Sequence, residues 1–306
     1  MSIKKHSKSA LMMEYISFMR GYQCLSEDTI FLRKKFVEPF LIHLDKASQL
    51  SNLSRLAAST IHDYIIAVAQ PLKRASKKHL SSSIRSFLKF AHIKGYLAKN
   101  LIEAVPVITT RKLDRLPQGI AWSEAQKLLT MPDRSTAFGR RDYAVLQLLV
   151  SYGVRIGQVT TLKLQDIHWQ EGIICFPTCK HSNHLCLPLN TSVARALFDY
   201  IKKDRGELDF DEIFLTIREP RHPLSEYNHY YSCLKKYYDA AHIDVHSKGA
   251  RSIRHAFATH LVEQKIPFKI IADLLGHRSI ENTFIYTKVN VSQLRELARP
   301  WPEVML

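Results

Sequence analysis

Between Val105 and Gln118 the chain reads VPVITTRKLDRLPQ, with two prolines, no amphipathic period and three cations, Arg111, Lys112 and Arg115. Proline removes a backbone donor and pushes the residue before it toward extended backbone, so no regular helix or central strand crosses this stretch. The residues on either side must fold around separate cores, and 306 residues leave room for two domains of ordinary size. The division expected is residues 1–105, a basic linker over 106–120, and residues 121–306 with a tail at about 289–306.

Apolar residues recur at helical spacing through Leu11–Tyr22, Thr29–Leu44, Thr60–Ala69 and Leu80–Tyr96, which predicts an all-helical first domain. Charge is concentrated there: residues 1–120 hold 20 Lys and Arg against 8 Asp and Glu, out of a net +16 for the whole chain. Lys73, Arg74, Lys77, Lys78 and Arg85 fall within 13 residues around the start of the last helix, among Ser76, Ser81, Ser82 and Ser83. Cations interleaved with hydroxyl donors suit phosphate contact better than a solvated helix face, so a phosphate-bearing polyanion is the expected partner.

Other classes fall away. No uninterrupted apolar run is long enough to span a bilayer, and the apolar stretch Ala10–Met19 is broken by Glu14 and has no small-residue cleavage site. Five cysteines, Cys24, Cys175, Cys179, Cys186 and Cys233, are too few and too scattered for a stapled secreted domain, which predicts reduced thiols and a cytoplasmic protein. Cys175, Cys179, His181, His184 and Cys186 are zinc-ligand types. Their spacing across a short hairpin puts them on alternating faces, which argues against a metal site.

Beyond residue 120 short strands join the helices. Ser123–Leu129, with Ser123 as N-cap, Arg141–Tyr152, Val193–Lys203, Ser225–Ala241, Ser252–Gln264, Pro267–Leu275 and Ile280–Thr287 read as helices. Ile167–Trp169, Gly172–Phe176 and His184–Leu189 read as strands, the last two joined as a hairpin across Cys179–Asn183. The fold class is therefore mainly α with a small antiparallel sheet in an α+β second domain. Tyr227, Tyr230, Tyr231, Tyr237 and Tyr238 recur with Leu234 at helical spacing and read as a packed stripe.

Three segments carry polar residues that a packed core does not ask for. In Ser151–Gln158 (SYGVRIGQ) Arg155 follows the glycine end of an apolar helix. In Arg251–His260 (RSIRHAFATH) Arg251 and Arg254 lie three apart near a helix start, where an anion is welcome. The third is Leu274–His277 (LLGH), followed nine residues on by Tyr286. The block RSIRHAFATHLVEQKIPFKIIADLLGHRSIENTFIYTKV resembles the catalytic signature of the tyrosine site-specific recombinases, the phage integrase family. YGVRIGQVTTLKLQDI is similar to that family's first-arginine box, and TCKHSNHLCLPL to its hairpin with the catalytic lysine.

The resemblance implies a helical core-binding domain and a catalytic domain forming a C-shaped clamp on double-stranded DNA. It implies Tyr286 as nucleophile, Arg155 and Arg254 as the phosphate clamp, Lys180 as general acid and His277 as a further donor, with no cofactor and no metal. It also implies a tetrameric synapse of protomers on DNA, with an accessory directionality factor as a further partner. Two residues depart from the pattern: Arg251 stands where the family usually has His, and Gln158 where an acidic residue is common. A guanidinium keeps its charge and accepts no proton at neutral pH, but it donates to phosphate. These departures leave two alternatives open, a non-catalytic DNA-binding protein on the same fold and a nicking-closing enzyme like the type IB topoisomerases. The tail, with Leu294, Leu297 and Trp301, is expected to dock on a neighbouring protomer or on its own.

Overall fold

The computed structural model describes residues 7–47, 49–108, 119–177, 185–224, 230–245 and 247–276, and the chain divides into two compact units, Met1–Lys112 and Leu113–Leu306. The linker cations Arg111, Lys112 and Arg115 and the tail from 289 lie outside the described residues.

The first unit is helical: α1 (Lys8–Gly21), α2 (Glu27–Lys46), α3 (Ala58–Ala69) and α4 (Arg74–Ile93). Its core forms where the apolar stripes meet, with Tyr15 of α1, Phe40 of α2 and Phe87 and Phe90 of α4 fully buried. Tyr15 meets Phe87 edge-on with ring centres 5.5 Å apart. Helix α4 starts six residues earlier than the apolar period alone indicates, because Arg74–His79 are acceptable helix residues that carry no apolar signal. Arg74, Lys77 and Lys78 therefore ride on its opening turns, with Lys73 at the N-cap.

The second unit runs α5 (Trp122–Leu128), α6 (Ala137–Tyr152), α7 (Ile156–Thr160), β1 (Ile167–His168), β2 (Ile173–Phe176), β3 (Leu185–Pro188), α8 (Thr191–Tyr200), α9 (Tyr230–Ala240), α10 (Ala250–Glu263) and α11 (Phe268–Leu274). The strands form one antiparallel sheet in the order β1-β2-β3, with Ile174 opposite Ile167 and Leu187 and Phe176 opposite Leu185. Ile174 and Phe176 point into the core shared with α6 and α8. No described helix is long and apolar enough to cross a membrane.

Two expectations need correction. Ser123 is not the N-cap of α5: that position is Ala121, whose amide is satisfied by the Glu124 carboxylate at 2.8 Å. Nor are all the cysteines reduced. The antiparallel register sets Cys175 directly opposite Cys186, and the two are joined as a disulfide, while Cys24 and Cys233 are free thiols. The tyrosine stripe on α9 is partly visible: Tyr237 and Tyr238 are buried with Leu234, and their hydroxyls donate to the Asp142 carboxylate and the Gly249 carbonyl. Tyr227 lies outside the described residues.

Candidate active site

Helix α6 is buried along nearly its whole length and must stop abruptly to release the first-arginine segment. It stops at Gly153, in the left-handed conformation (φ 58°), whose amide closes the last turn on the Leu149 carbonyl at 3.0 Å. Glycine is required twice over here, since a Cβ at this position would sit 2.3 Å from a ring carbon of Phe257 on α10. Two residues later Arg155 is the N-cap of α7, its backbone extended (φ −75°, ψ 145°) and its side chain exposed. Among the described residues no carboxylate forms an ion pair with it.

Helix α10 delivers the second arginine. Arg251, in its first turn, is exposed, whereas Arg254, one turn on, is only 8 % exposed. The Arg254 guanidinium donates to the Gly153 carbonyl at 2.8 Å and to the Leu275 carbonyl at 2.6 Å, tying the end of α6 to the turn after α11. That turn closes on Gly276, also left-handed (φ 58°), and Nη1 of Arg155 lies 3.9 Å from where a Cβ on Gly276 would be. Two guanidinium groups from distant stretches of sequence thus meet at one turn, directly before His277. Neighbouring cations of this kind raise the local positive potential and match the oxygens of a phosphate.

The surroundings are packed to hold this geometry. His260 stacks on Trp122 of α5 with ring centres 4.4 Å apart and planes at 4°. Burial, then the charges of Arg251 and Arg254, lower the pKa of His255 to about 4, so this imidazole is neutral beside the two cations.

The profile of the phage integrase family matches residues 120–293. Integrase/recombinase y4rA of Sinorhizobium fredii is 31% identical over 300 residues, which is 97% of this chain and 73% of that protein. The chain belongs to the phage integrase family. Tyrosine recombinase XerD of Listeria monocytogenes is 26% identical over 291 residues, 94% of this chain and 96% of that one. The fold is that of the XerH site-specific recombinase bound to its difH substrate in a post-cleavage complex (TM-score 0.70, 17% identity, 99% of each chain). It is also that of a lambda integrase dimer on a core site (TM-score 0.67, 18% identity, 97% of this chain and 99% of that chain). The protein is a tyrosine recombinase, an enzyme that breaks and rejoins DNA.

Of the residues singled out from the recombinase sequence, the structure brings Arg155 and Arg254 together and sets Arg251 on the adjoining turn of α10. Lys180, His277 and Tyr286 lie outside the described residues. On the helical unit Lys73, Arg74 and Lys78 are exposed and Lys77 and Arg85 half-buried. Arg85 spends a guanidinium N–H within the unit, on the Val105 carbonyl at 2.6 Å. Ser81 and Ser83 are buried, so of the four serines only Ser76 and Ser82 keep surface for an anion, and the Ser82 hydroxyl also donates to the His79 carbonyl at 3.0 Å.

Sequence reasoning treated Gln158 only as a departure from a pattern. In the structure it is 3 % exposed: its Oε1 accepts from the Arg155 amide at 3.1 Å, and its Nε2 donates to the Pro177 carbonyl at 3.1 Å. The signal was present in the chain, because a Gln three residues after a helix-starting position is the side-chain half of a capping box. Tyr152 was missed as well: its hydroxyl donates to the Pro188 carbonyl at 2.8 Å and accepts from the Asn190 amide at 2.9 Å.

Proposed function

We propose that this recombinase cuts one DNA strand at a time through Tyr286. The phenolate oxygen attacks a backbone phosphorus, the P–O5′ bond breaks with its electron pair leaving on O5′, and the Lys180 ammonium supplies the proton that makes a free 5′ hydroxyl. A 3′-phosphotyrosyl link remains. It conserves the phosphodiester bond energy, so a 5′ hydroxyl from a second duplex can reverse the step with no nucleotide cofactor. Arg155 and Arg254 hold the nonbridging oxygens, whose charge grows as the phosphorus becomes five-coordinate. His277 donates to the same phosphate, and Arg251 adds a cation where the family usually has His.

The observation that carries this reading is the meeting of Arg155 and Arg254 at the Leu275–Gly276 turn, since Tyr286 follows that turn by ten residues in sequence. The basic cluster Lys73, Arg74, Lys77, Lys78 and Arg85, with the linker cations Arg111, Lys112 and Arg115, serves the same duplex through its phosphates. Residues 1–105 act as the core-binding domain and 121–306 as the catalytic domain, each contributing contacts to the duplex. A lambda integrase of this fold has been seen as a tetramer on a Holliday junction. Four protomers in a synapse, integrating or excising a mobile element in a prokaryotic cytoplasm under an accessory directionality factor, is the corresponding assembly here.

The deciding experiment is Tyr286→Phe on a nicked duplex carrying the recombination site. The variant binds DNA like the parent, because only the phenolic oxygen is removed, yet forms no covalent adduct. In the parent the adduct yields, after proteolysis, a phosphotyrosyl peptide containing Asn282–Lys288 joined to a 3′ phosphate. An adduct on another residue, or through a 5′ phosphate, overturns the mechanism.

A further inference from the structure

Gln158 lies in a buried position between two backbone groups of fixed and opposite polarity. The Arg155 N–H can only donate and the Pro177 C=O can only accept, so a single orientation of the primary amide satisfies both, at 3.1 Å each. A carboxylate at this position could accept from Arg155 but would face the Pro177 carbonyl with a second acceptor, inside a site that is 3 % exposed. The amide is thus matched to its two partners in a way that the acidic residue common at this position is not.

Its place in the fold gives this match a consequence. Pro177 directly follows β2, one position beyond the last paired residue, Phe176 opposite Leu185. Lys180 follows it by three residues in sequence. The other end of the same hairpin, Pro188–Asn190, is held by the Tyr152 hydroxyl. Two polar ties, from Tyr152 and Gln158, therefore leave the short segment around Arg155 and grip the β2–β3 hairpin at its root and at the end of its paired region.

We propose that Gln158 is a positioning residue for DNA cleavage: its amide fixes the hairpin that carries the proton donor relative to the arginine that holds the phosphate. It touches neither DNA nor the reacting atoms and acts through Lys180. The inference rests on the reading of Lys180 as the proton donor to O5′.

The test compares two substrates, one with the natural O5′ leaving group and one with sulfur at that bridging position. A thiol, with a pKa of about 8.5, leaves without a proton, so a defect confined to proton donation disappears on the sulfur substrate. Gln158→Glu keeps acceptance from Arg155 and loses donation to Pro177; the near-isosteric Gln158→Met loses both and introduces no charge. Both variants are expected to cleave the oxygen substrate slower by a factor on the order of 10². Both should cleave the sulfur substrate within a few-fold of the parent, which also reports that the arginines and Tyr286 are correctly folded around the phosphate.

Lys180→Ala is the control. Rescue of Lys180→Ala by sulfur without rescue of either Gln158 variant overturns the inference alone and makes Gln158 a support for Arg155 or for the fold. Parent-like rates of Gln158→Met on the oxygen substrate overturn it too. Failure of sulfur to rescue Lys180→Ala overturns the proton-donor reading and the inference with it.

Discussion

His255 follows Arg254 on α10, and Gly119 packs close against its backbone, since a Cβ placed on that glycine would lie 3.1 Å from the His255 Cβ. Burial first, then Arg251 and Arg254, lower its pKa to about 4, against an ordinary value of about 6.5 that the unfolded chain regains. The folded state therefore binds fewer protons than the unfolded state between these two values. The stability that neutral His255 contributes is complete above about pH 6.5 and is lost as pH falls from there through about 4, with one group contributing at most about 1.4 kcal/mol per pH unit. Thermal melting of the parent should decline from pH 7 to pH 5, and His255→Gln, which does not titrate, should show a shallower decline. An unchanged slope in the variant would remove His255 as the source. The adjacent positions differ in kind: Arg254 is pinned by two backbone carbonyls and Arg251 is exposed, so equal spacing on one helix carries unequal roles.

At the scale of elements, the end of α6 is the joint on which the arginines depend. Gly153→Ala forces a side-chain residue into the left-handed region and drives a methyl group against Phe257, which would sit 2.3 Å away. The two effects together should cost about 2 to 4 kcal/mol. Because the Gly153 carbonyl is also an acceptor for Arg254, cleavage should fall further than the folded fraction accounts for. Denaturant unfolding read beside single-turnover cleavage checks this, and cleavage that merely tracks the folded fraction would detach the joint from the chemistry. This joint also marks what was legible in the chain. The apolar run Arg141–Tyr152 followed by glycine announces a helix and its stop, and alternating Ile174 and Phe176 announce a half-buried strand. The early start of α4 at Arg74 was hidden because propensity without an apolar stripe leaves no period to read. The Cys175–Cys186 bridge was hidden for a different reason: it follows from strand register, and a shift of one residue in the pairing would point the two sulfurs to opposite faces. The meeting of Arg155 with Arg254 at the Leu275–Gly276 turn was available from family resemblance but not from local pattern, since the three segments are about 100 and about 20 residues apart and only tertiary packing joins them.

For the whole molecule the asymmetry of charge decides where duplex affinity should reside. Residues 1–120 carry 20 Lys and Arg and 8 Asp and Glu, whereas the remaining residues carry 24 and 20, so the second unit's cations are largely offset by its own carboxylates. Several of those pairs are visible, among them Arg140 with Asp204 at 2.7 Å and Arg141 with Asp142 at 2.8 Å. On the helical unit Lys73, Arg74, Lys77 and Lys78 sit at the N-terminal end of α4, where no acidic residue occupies the first turn and the helix dipole adds to their attraction for an anion. Each phosphate contact releases counterions, so the logarithm of the binding constant falls with the logarithm of salt by about 0.9 per contact. Replacing these four cations together by glutamine in the full chain should weaken nonspecific duplex binding and make the salt slope shallower by about 3 to 4, if each meets one phosphate. The matched control is Lys202 with Lys203 on the second unit, where Lys203 already pairs with Asp199 at 3.2 Å and Lys202 lies over the Phe198 ring. Glutamine there should leave the slope within about one contact's worth of the parent's. Titrations of labelled duplex from low to moderate salt give both slopes directly. A slope unchanged by the first set, or reduced as much by the second, would move the electrostatic anchor of the recombinase away from α4.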